Sequence, residues 1–223
     1  MFVKICGVTE EEDAALAVAM GADAIGFIFA PSTRQVTKGA VRDIVRRLPA
    51  ETLTVGVFRD QPSQFVIDTI QHAGLRAVQL HGHESPRDAE QIRPYCQALI
   101  VAFPAGDPGL AHVDEYGADA ILLDSHAPGS GRVFDWSLAD GVPSNRRVIL
   151  AGGLTADNVA AGIDEVRPWG VDVSTGVELE GRPGRKDPIK VRDFIHAARE
   201  AALRHAPPEG AGHVPFDWAD PDR

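Results

Sequence analysis

The sequence predicts an α/β fold in a single domain, a (β/α)₈ TIM barrel, and three observations predict it. Short β-branched or apolar runs alternate with longer amphipathic stretches, the pattern of a parallel sheet covered by helices. There are about eight such runs, the number that closes a barrel. Glycine precedes the even-numbered runs, and proline precedes the odd-numbered ones after the first.

In order, the predicted strands are Val3–Cys6, Ala24–Phe29, Leu53–Phe58, Ala77–Leu80, Leu99–Phe103, Ala120–Asp124, Val148–Leu150 and Val171–Ser174. Gly21, Gly74, Gly117 and Gly170 stand before the even ones. Each is placed where a helix should end, because glycine enters the left-handed region without a Cβ penalty. Pro49, Pro94 and Pro143 stand before the later odd strands and cannot continue a helix. The glycines recur about once per βαβα unit, so the chain reads as four quarter-barrels in series, although αβ turns also carry glycine for local reasons. Thr9 with Glu12 has capping-box spacing, and Ser85 with Pro86 offers an N-cap followed by proline at the first helical position. An open doubly wound sheet is the competing architecture, but it usually has fewer strands and needs a switch in their order. The barrel is expected over residues 1–205. Residues 206–223, rich in Pro, Gly and acid and without helical or strand period, are expected to be a surface tail.

With 44% hydrophobic residues among 223, one sizeable core is possible. The net charge of -10 argues against a general affinity for nucleic acid or anionic membrane, so an anionic ligand must meet a local positive cluster. The opening residues lack a secretory signal pattern, and no apolar run approaches the ~18 residues of a membrane span. The expected location is cytoplasmic. Cys6 and Cys96 are too few for a disulfide scaffold or a paired-cysteine zinc site, and they fall at opposite ends of the predicted barrel.

In this fold the chemistry lies at the C-terminal ends of the strands. The polar residues there are Cys6, the Ala30–Arg34 loop, Arg59, His81, Asp124, Gly152 with Gly153, and Ser174 with Thr175. Loops seven and eight, Leu150-Ala-Gly-Gly-Leu-Thr and Asp172-Val-Ser-Thr-Gly-Val-Glu, combine glycines with hydroxyl donors, as a phosphate cradle requires. Alternation puts Lys4 and Cys6 on one face of the first strand. Cys6 and Asp124 form a candidate acid/base pair, although a buried structural cysteine and an N-capping aspartate would look the same. Lys4 is a candidate stabiliser of a Cys6 thiolate or, equally, the partner of Asp172. Arg34 has the planar fork that grips a carboxylate, but a solvated loop arginine is the commoner outcome. His81-Gly-His-Glu has no third ligand spaced to make it a metal site, and no cofactor fingerprint is present.

These residues lie in segments that resemble one family, phosphoribosylanthranilate isomerase. The segments are Lys4-Ile-Cys-Gly-Val-Thr, Gly26-Phe-Ile-Phe, Ser32-Thr-Arg-Gln-Val, Val55-Gly-Val-Phe, Val78-Gln-Leu-His-Gly and Leu122-Leu-Asp124. Gly129-Ser-Gly-Arg-Val-Phe-Asp-Trp136, Gly152-Gly-Leu and Asp172-Val-Ser-Thr-Gly-Val-Glu178 complete them, in the family's order, over residues 2 to about 195. The resemblance implies Cys6 as general base, Asp124 as general acid and Arg34 as holder of the anthranilate carboxylate. Gly153, Ser174 and Thr175 would bind the substrate phosphate, with Gly152 and Gly176 shaping the loops. It implies a cofactor-free isomerisation of a phosphorylated sugar in tryptophan biosynthesis, and the outer helix faces leave the oligomeric state unread. Thr33 replaces a frequent proline, which touches the geometry of the Arg34 loop, and Thr175 replaces a frequent serine while keeping the hydroxyl. A histidine-pathway isomerase, or one serving both pathways, would need a second phosphate cradle, and the third loop, Phe58-Arg-Asp-Gln-Pro, does not supply one. A catalytically dead barrel kept as a binding module would not need Cys6, Asp124 and Arg34 together.

Overall fold

The computed structural model describes residues 1–124 and 146–205. Its strands are β1 (Phe2–Ile5), β2 (Ala24–Ile28), β3 (Leu53–Phe58), β4 (Ala77–Leu80), β5 (Ala98–Pro104), β6 (Ala120–Asp124), β7 (Val148–Leu150) and β8 (Gly170–Val173). They pair in sequence order and close into a barrel, β1 lying parallel to both β2 and β8. The predicted strands are all present, with ends shifted by about a residue. Cys6, for example, lies just beyond β1, yet its N–H still donates to Val173 O at 2.8 Å.

Alternation decides what each strand buries. Val3, Ile5, Ile25, Phe27 and their counterparts face outward into a core shared with the helices. Phe2, Leu53, Val55 and Ile100 fill the barrel together with the small Ala24, Ala77, Ala98 and Ala120. Large side chains interdigitate with small ones, as dense packing in a narrow interior demands. Buried polar groups, Lys4, Gln79 and Asp172, also stand on the strands, nearer their C-terminal ends. The interior therefore grades from apolar at the foot to polar at the mouth.

The helices are α1 (Glu11–Ala19), α2 (Lys38–Val45), α3 (Ser63–Ala73), α4 (Pro86–Ile92), α5 (Val159–Val166) and α6 (Pro188–Leu203). After β5 a 3₁₀ stretch, Pro108–Tyr116, does a helix's work by burying Leu110 and Val113. Ser85 caps α4 in a reciprocal capping box with Asp88, and Pro86 opens the helix. The other expected cap is corrected. Glu10 precedes α1 without a side-chain cap bond, while the Thr9 hydroxyl donates instead to Gly184 O at 3.1 Å. That bond belongs to a strap over residues 178–187. Asp13 of α1 accepts from the strap too, from Lys186 N at 2.9 Å and Arg185 Nε at 3.1 Å.

The glycine repeat is also corrected at its fourth member. Gly21, Gly74 and Gly117 have φ of +94°, +71° and +58°. Gly170 instead lies inside β8, and the left-handed residue ahead of that strand is Arg167, at φ +50°. Gly170 is small for a packing reason: a Cβ there would come within 2.8 Å of the Phe2 ring, which stacks on Trp169. At this foot of the barrel a cavity of about 920 Å³ opens among Met1, Phe2, Trp169 and His205, away from the mouth. The segment Gly129–Trp136, Pro143 and the tail 206–223 lie outside the described residues. Among the described residues no helix is long and apolar enough to cross a membrane.

Candidate active site

Two strands, β7 and β8, separate the rim positions of Cys6 and Asp124, and each residue has a different kind of neighbourhood. On the β1–β8 side, Lys4 is fully buried and its Nζ lies 3.0 Å from Asp172 Oδ1. The charge of the same ammonium lies within electrostatic reach of the Cys6 sulfur and favours its thiolate form. The ion pair of Lys4 with Asp172 is present, and the Lys4 charge also bears on Cys6. Gly26 makes this close packing possible, since a Cβ there would stand 2.8 Å from Cys6 Sγ and 3.1 Å from Lys4 Nζ. Burial pushes the Cys6 thiol up from its ordinary 9.0, Lys4 and Lys186 pull it down, and Asp172 adds to the rise. The net direction is upward, so the resting residue is a thiol at neutral pH. Burial also works against the Lys4 ammonium, but Asp172 and Cys6 outweigh it and hold the group charged.

On the other side of the mouth, Asp124 ends β6 with its side chain 17% exposed, and its Oδ2 is 3.2 Å from His81 Nε2. His81 Nδ1 lies 2.8 Å from the Gln79 amide nitrogen. The amide donates to Nδ1, so the imidazole carries its proton on Nε2 and donates it to Asp124. Among the described residues the other carboxyl oxygen has no hydrogen-bond partner.

The anion-binding features collect on loops seven and eight. Gly152 and Gly153 both take positive φ, +88° and +65°, a pair of conformations that side-chain-bearing residues rarely adopt. Asn158 braces this turn, accepting from Thr155 N at 2.8 Å and donating to Gly153 O at 3.0 Å. Gly176 lets loop eight pack against loop seven, because a Cβ there would collide with Leu154 O. Among the described residues the N–H groups of Gly153, Ser174 and Thr175 have no hydrogen-bond partner, and the buried Ser174 hydroxyl has none either. A cluster of unsatisfied donors costs free energy unless an anion or water completes it.

Arg34 does not wave in solvent. Its Nε and Nη2 grip Glu178 at 2.6 and 2.8 Å, and Nη2 also reaches Thr175 Oγ1 at 3.2 Å. Glu178 is buried, and burial pushes its carboxyl up. The hydrogen bonds from Arg34 and the Gly184 N–H, with the Lys186 charge, outweigh that and hold it below its ordinary value. Lys186 is 1% exposed, and its Nζ reaches Ser174 O at 3.1 Å and Glu178 Oε1 at 3.3 Å. Sequence reasoning gave roles to neither Glu178 nor Lys186. Glu178 ended a quoted motif, but in Arg182-Pro-Gly-Arg-Lys186 the lysine looks like one more solvated cation. His81 was noted at the rim without a part, and Gln79 was passed over as strand filling.

The family described as N-(5′-phosphoribosyl)anthranilate (PRA) isomerase matches residues 3–197. The N-(5′-phosphoribosyl)anthranilate isomerase of Desulforudis audaxviator is 49% identical over 206 residues, spanning 89% of this chain and 98% of that one. That of Pelobacter propionicus is 45% identical over 204 residues, 89% and 95% of the two chains. Among solved structures, the phosphoribosyl anthranilate isomerase of Thermus thermophilus superposes with a TM-score of 0.81 at 41% identity, covering 92% of this chain and all of that one. Another, crystallised with reduced 1-(o-carboxyphenylamino)-1-deoxyribulose 5-phosphate, gives 0.78 at 37% identity, covering 90% of this chain and 99% of that one.

Proposed function

This chain belongs to the N-(5′-phosphoribosyl)anthranilate isomerase family, and on that premise we propose that Cys6 and Asp124 carry out the isomerisation as base and acid. The enzyme converts N-(5-phosphoribosyl)anthranilate to 1-(2-carboxyphenylamino)-1-deoxyribulose 5-phosphate in tryptophan biosynthesis. The observation that carries the assignment of residues is the placement of the two groups: a buried sulfur between cations and a hydrogen-bonded carboxyl, both on one mouth that also bears unsatisfied anion donors.

In this assignment the phosphate takes the N–H groups of Gly153, Ser174 and Thr175 and the Ser174 hydroxyl, while Gly152 and Gly176 keep the two loops in shape. The far end of the substrate, the anthranilate carboxylate, goes to the Arg34 guanidinium. Holding both ends supplies orientation, which is worth several kcal/mol of an otherwise improbable encounter. Asp124 then gives its proton to the furanose ring oxygen, and the C1′–O bond opens to a Schiff base. The Cys6 thiolate takes the proton from C2′, the electron pair flows to the imine nitrogen, and the enolamine tautomerises to the ketone. At rest the proton sits on sulfur. Moving it to Asp124 leaves the net charge of the pair unchanged, so the reactive form needs no proton from solvent.

The reading needs no metal or redox cofactor, and it places the enzyme in the cytoplasm, because a phosphorylated sugar does not cross a membrane unaided. In the same reading the barrel ends by residue 205 and residues 206–223 are an appendage to it. The test is direct. Purified protein, exhaustively chelated and dialysed, should consume the fluorescent anthranilate substrate with no addition, and activity that depends on a restored divalent metal would overturn the cofactor-free assignment.

A further inference from the structure

Glu178 has almost no exposure, yet its carboxylate is saturated with donors. Oε1 accepts from Arg34 Nε at 2.6 Å, Gly184 N at 2.9 Å and Lys186 Nζ at 3.3 Å, and Oε2 accepts from Arg34 Nη2 at 2.8 Å. Two cations therefore converge on one buried anion, one from the mouth and one from the strap. Packing alone does not call for this, since buried ion pairs are often replaceable by apolar side chains without loss of stability. Cys6 lies within electrostatic reach of Arg34 and Lys186 as well as of Lys4. Three cations and two carboxylates, Asp172 and Glu178, thus share one cluster with the base.

The grip on Arg34 also has a direction. Glu178 takes Nε and Nη2, Thr175 takes Nη2 again, and among the described residues only Nη1 has no partner. We propose that Glu178, clamped by Lys186, is the positioning residue for substrate recognition: it fixes the Arg34 guanidinium so that the Nη1 edge alone is offered to the substrate carboxylate. The proposal rests on the assignment of that carboxylate to Arg34. A free arginine carries about 2 kcal/mol of rotamer entropy, and a side chain already immobilised does not lose that freedom on binding. Because the Arg34 contact with Thr175 and the Lys186 contact with Ser174 both end on loop eight, the carboxylate grip and the phosphate cradle are held in one register. That register measures the distance between the two ends of the substrate.

The experiment compares KM, kcat and the affinity of two reduced product analogues, with and without the ring carboxylate, across variants whose melting is checked first. Glu178→Gln should raise KM and weaken the carboxylate-bearing analogue by about tenfold or more, as losing an aligned charged hydrogen bond does, with a smaller effect on kcat. It should leave the carboxylate-free analogue nearly unaffected and add little to Arg34→Ala. Lys186→Met should act in the same direction, and Lys186→Arg should restore part of the loss. Glu178→Asp, which keeps the charge but withdraws it by one methylene, replaces Glu178→Gln if that protein does not fold. If Arg34→Ala discriminates between the analogues but the Glu178 variants do not, the carboxylate assignment stands and the positioning role is wrong. If Arg34→Ala treats both analogues alike, the carboxylate assignment falls and takes the positioning role with it.

Discussion

The two sides of the barrel mouth solve opposite problems. Beside β1 and β8 the sulfur of Cys6 lies among buried charges, Lys4, Asp172, Lys186 and Glu178. Beside β4 and β6 the carboxyl of Asp124 stands partly open and is held by the His81 imidazole, which is set in turn by an amide. On the proposed assignment, the base that must become an anion is given cations, whereas the acid's side-chain partner among the described residues is an imidazole. On that assignment, the difference teaches that a demand for a thiolate beside a neutral acid is met by environment rather than by residue type.

The strongest way to break the comparison is to remove either proton carrier. Cys6→Ala and Asp124→Asn should each lower kcat by roughly 10²–10⁴-fold, the usual contribution of a placed acid or base. Affinity for the reduced product analogue should stay nearly constant. Steady-state kinetics with a binding titration checks this, and a near wild-type kcat for either variant would remove that residue from the mechanism.

Stability should separate the two sides next. Lys4→Met strands the Asp172 carboxylate, so it should cost about 3–5 kcal/mol, visible as a large drop in Tm. Gln79→Met removes an amide whose buried oxygen has no partner among the described residues and should cost about 0.5–1.5 kcal/mol, the net worth of its one hydrogen bond to His81. Equal costs on the two sides would show that the charges around the sulfur are not the stiffer construction.

The pH profile sharpens the comparison. On the proposed assignment the pair works with its proton on Asp124 but rests with it on Cys6, whose thiol burial pushes up from its ordinary 9.0. Between the two macroscopic values the total proton count is constant, so kcat/KM should be flat. On the alkaline side it should fall only above pH 9.0, where the shared proton is lost. An alkaline limb beginning below that value would mean that the cations outweigh burial at the sulfur.

The smallest expected effect lies off the site. Ser85→Ala removes one half of the capping box of α4 and should lower stability by about 1 kcal/mol, with no change in kcat/KM. Chemical denaturation measures the first and initial rates the second.

Much of this was legible in the residues. Short β-branched or apolar runs, with glycine or proline ahead of all but the first, located all eight strands, and rim polarity singled out Cys6, Asp124, Arg34 and both loops. Misreadings came where long-range packing overrules a local signal. Gly170 follows the spacing of a helix end, but Phe2, far off in sequence, is what requires it to be small. Thr9 has a capping partner at the right interval, yet Gly184 takes its hydroxyl. Lys186 could not be found by pattern, because nothing local distinguishes a lysine that turns inward from the two arginines near it.

The closure of β8 onto β1 has a consequence for where the chain is cut. Met1 and His205 both border the cavity at the foot of the barrel, so the two ends of the described barrel open on the same face. Bridging these two positions with a short linker, and reopening the backbone at an exposed turn on the foot, would alter no strand pair and nothing at the mouth. Order along the gene therefore carries no chemistry. Cys6 is encoded near one end and Glu178 near the other, and they share one side of the mouth because the last strand lies beside the first.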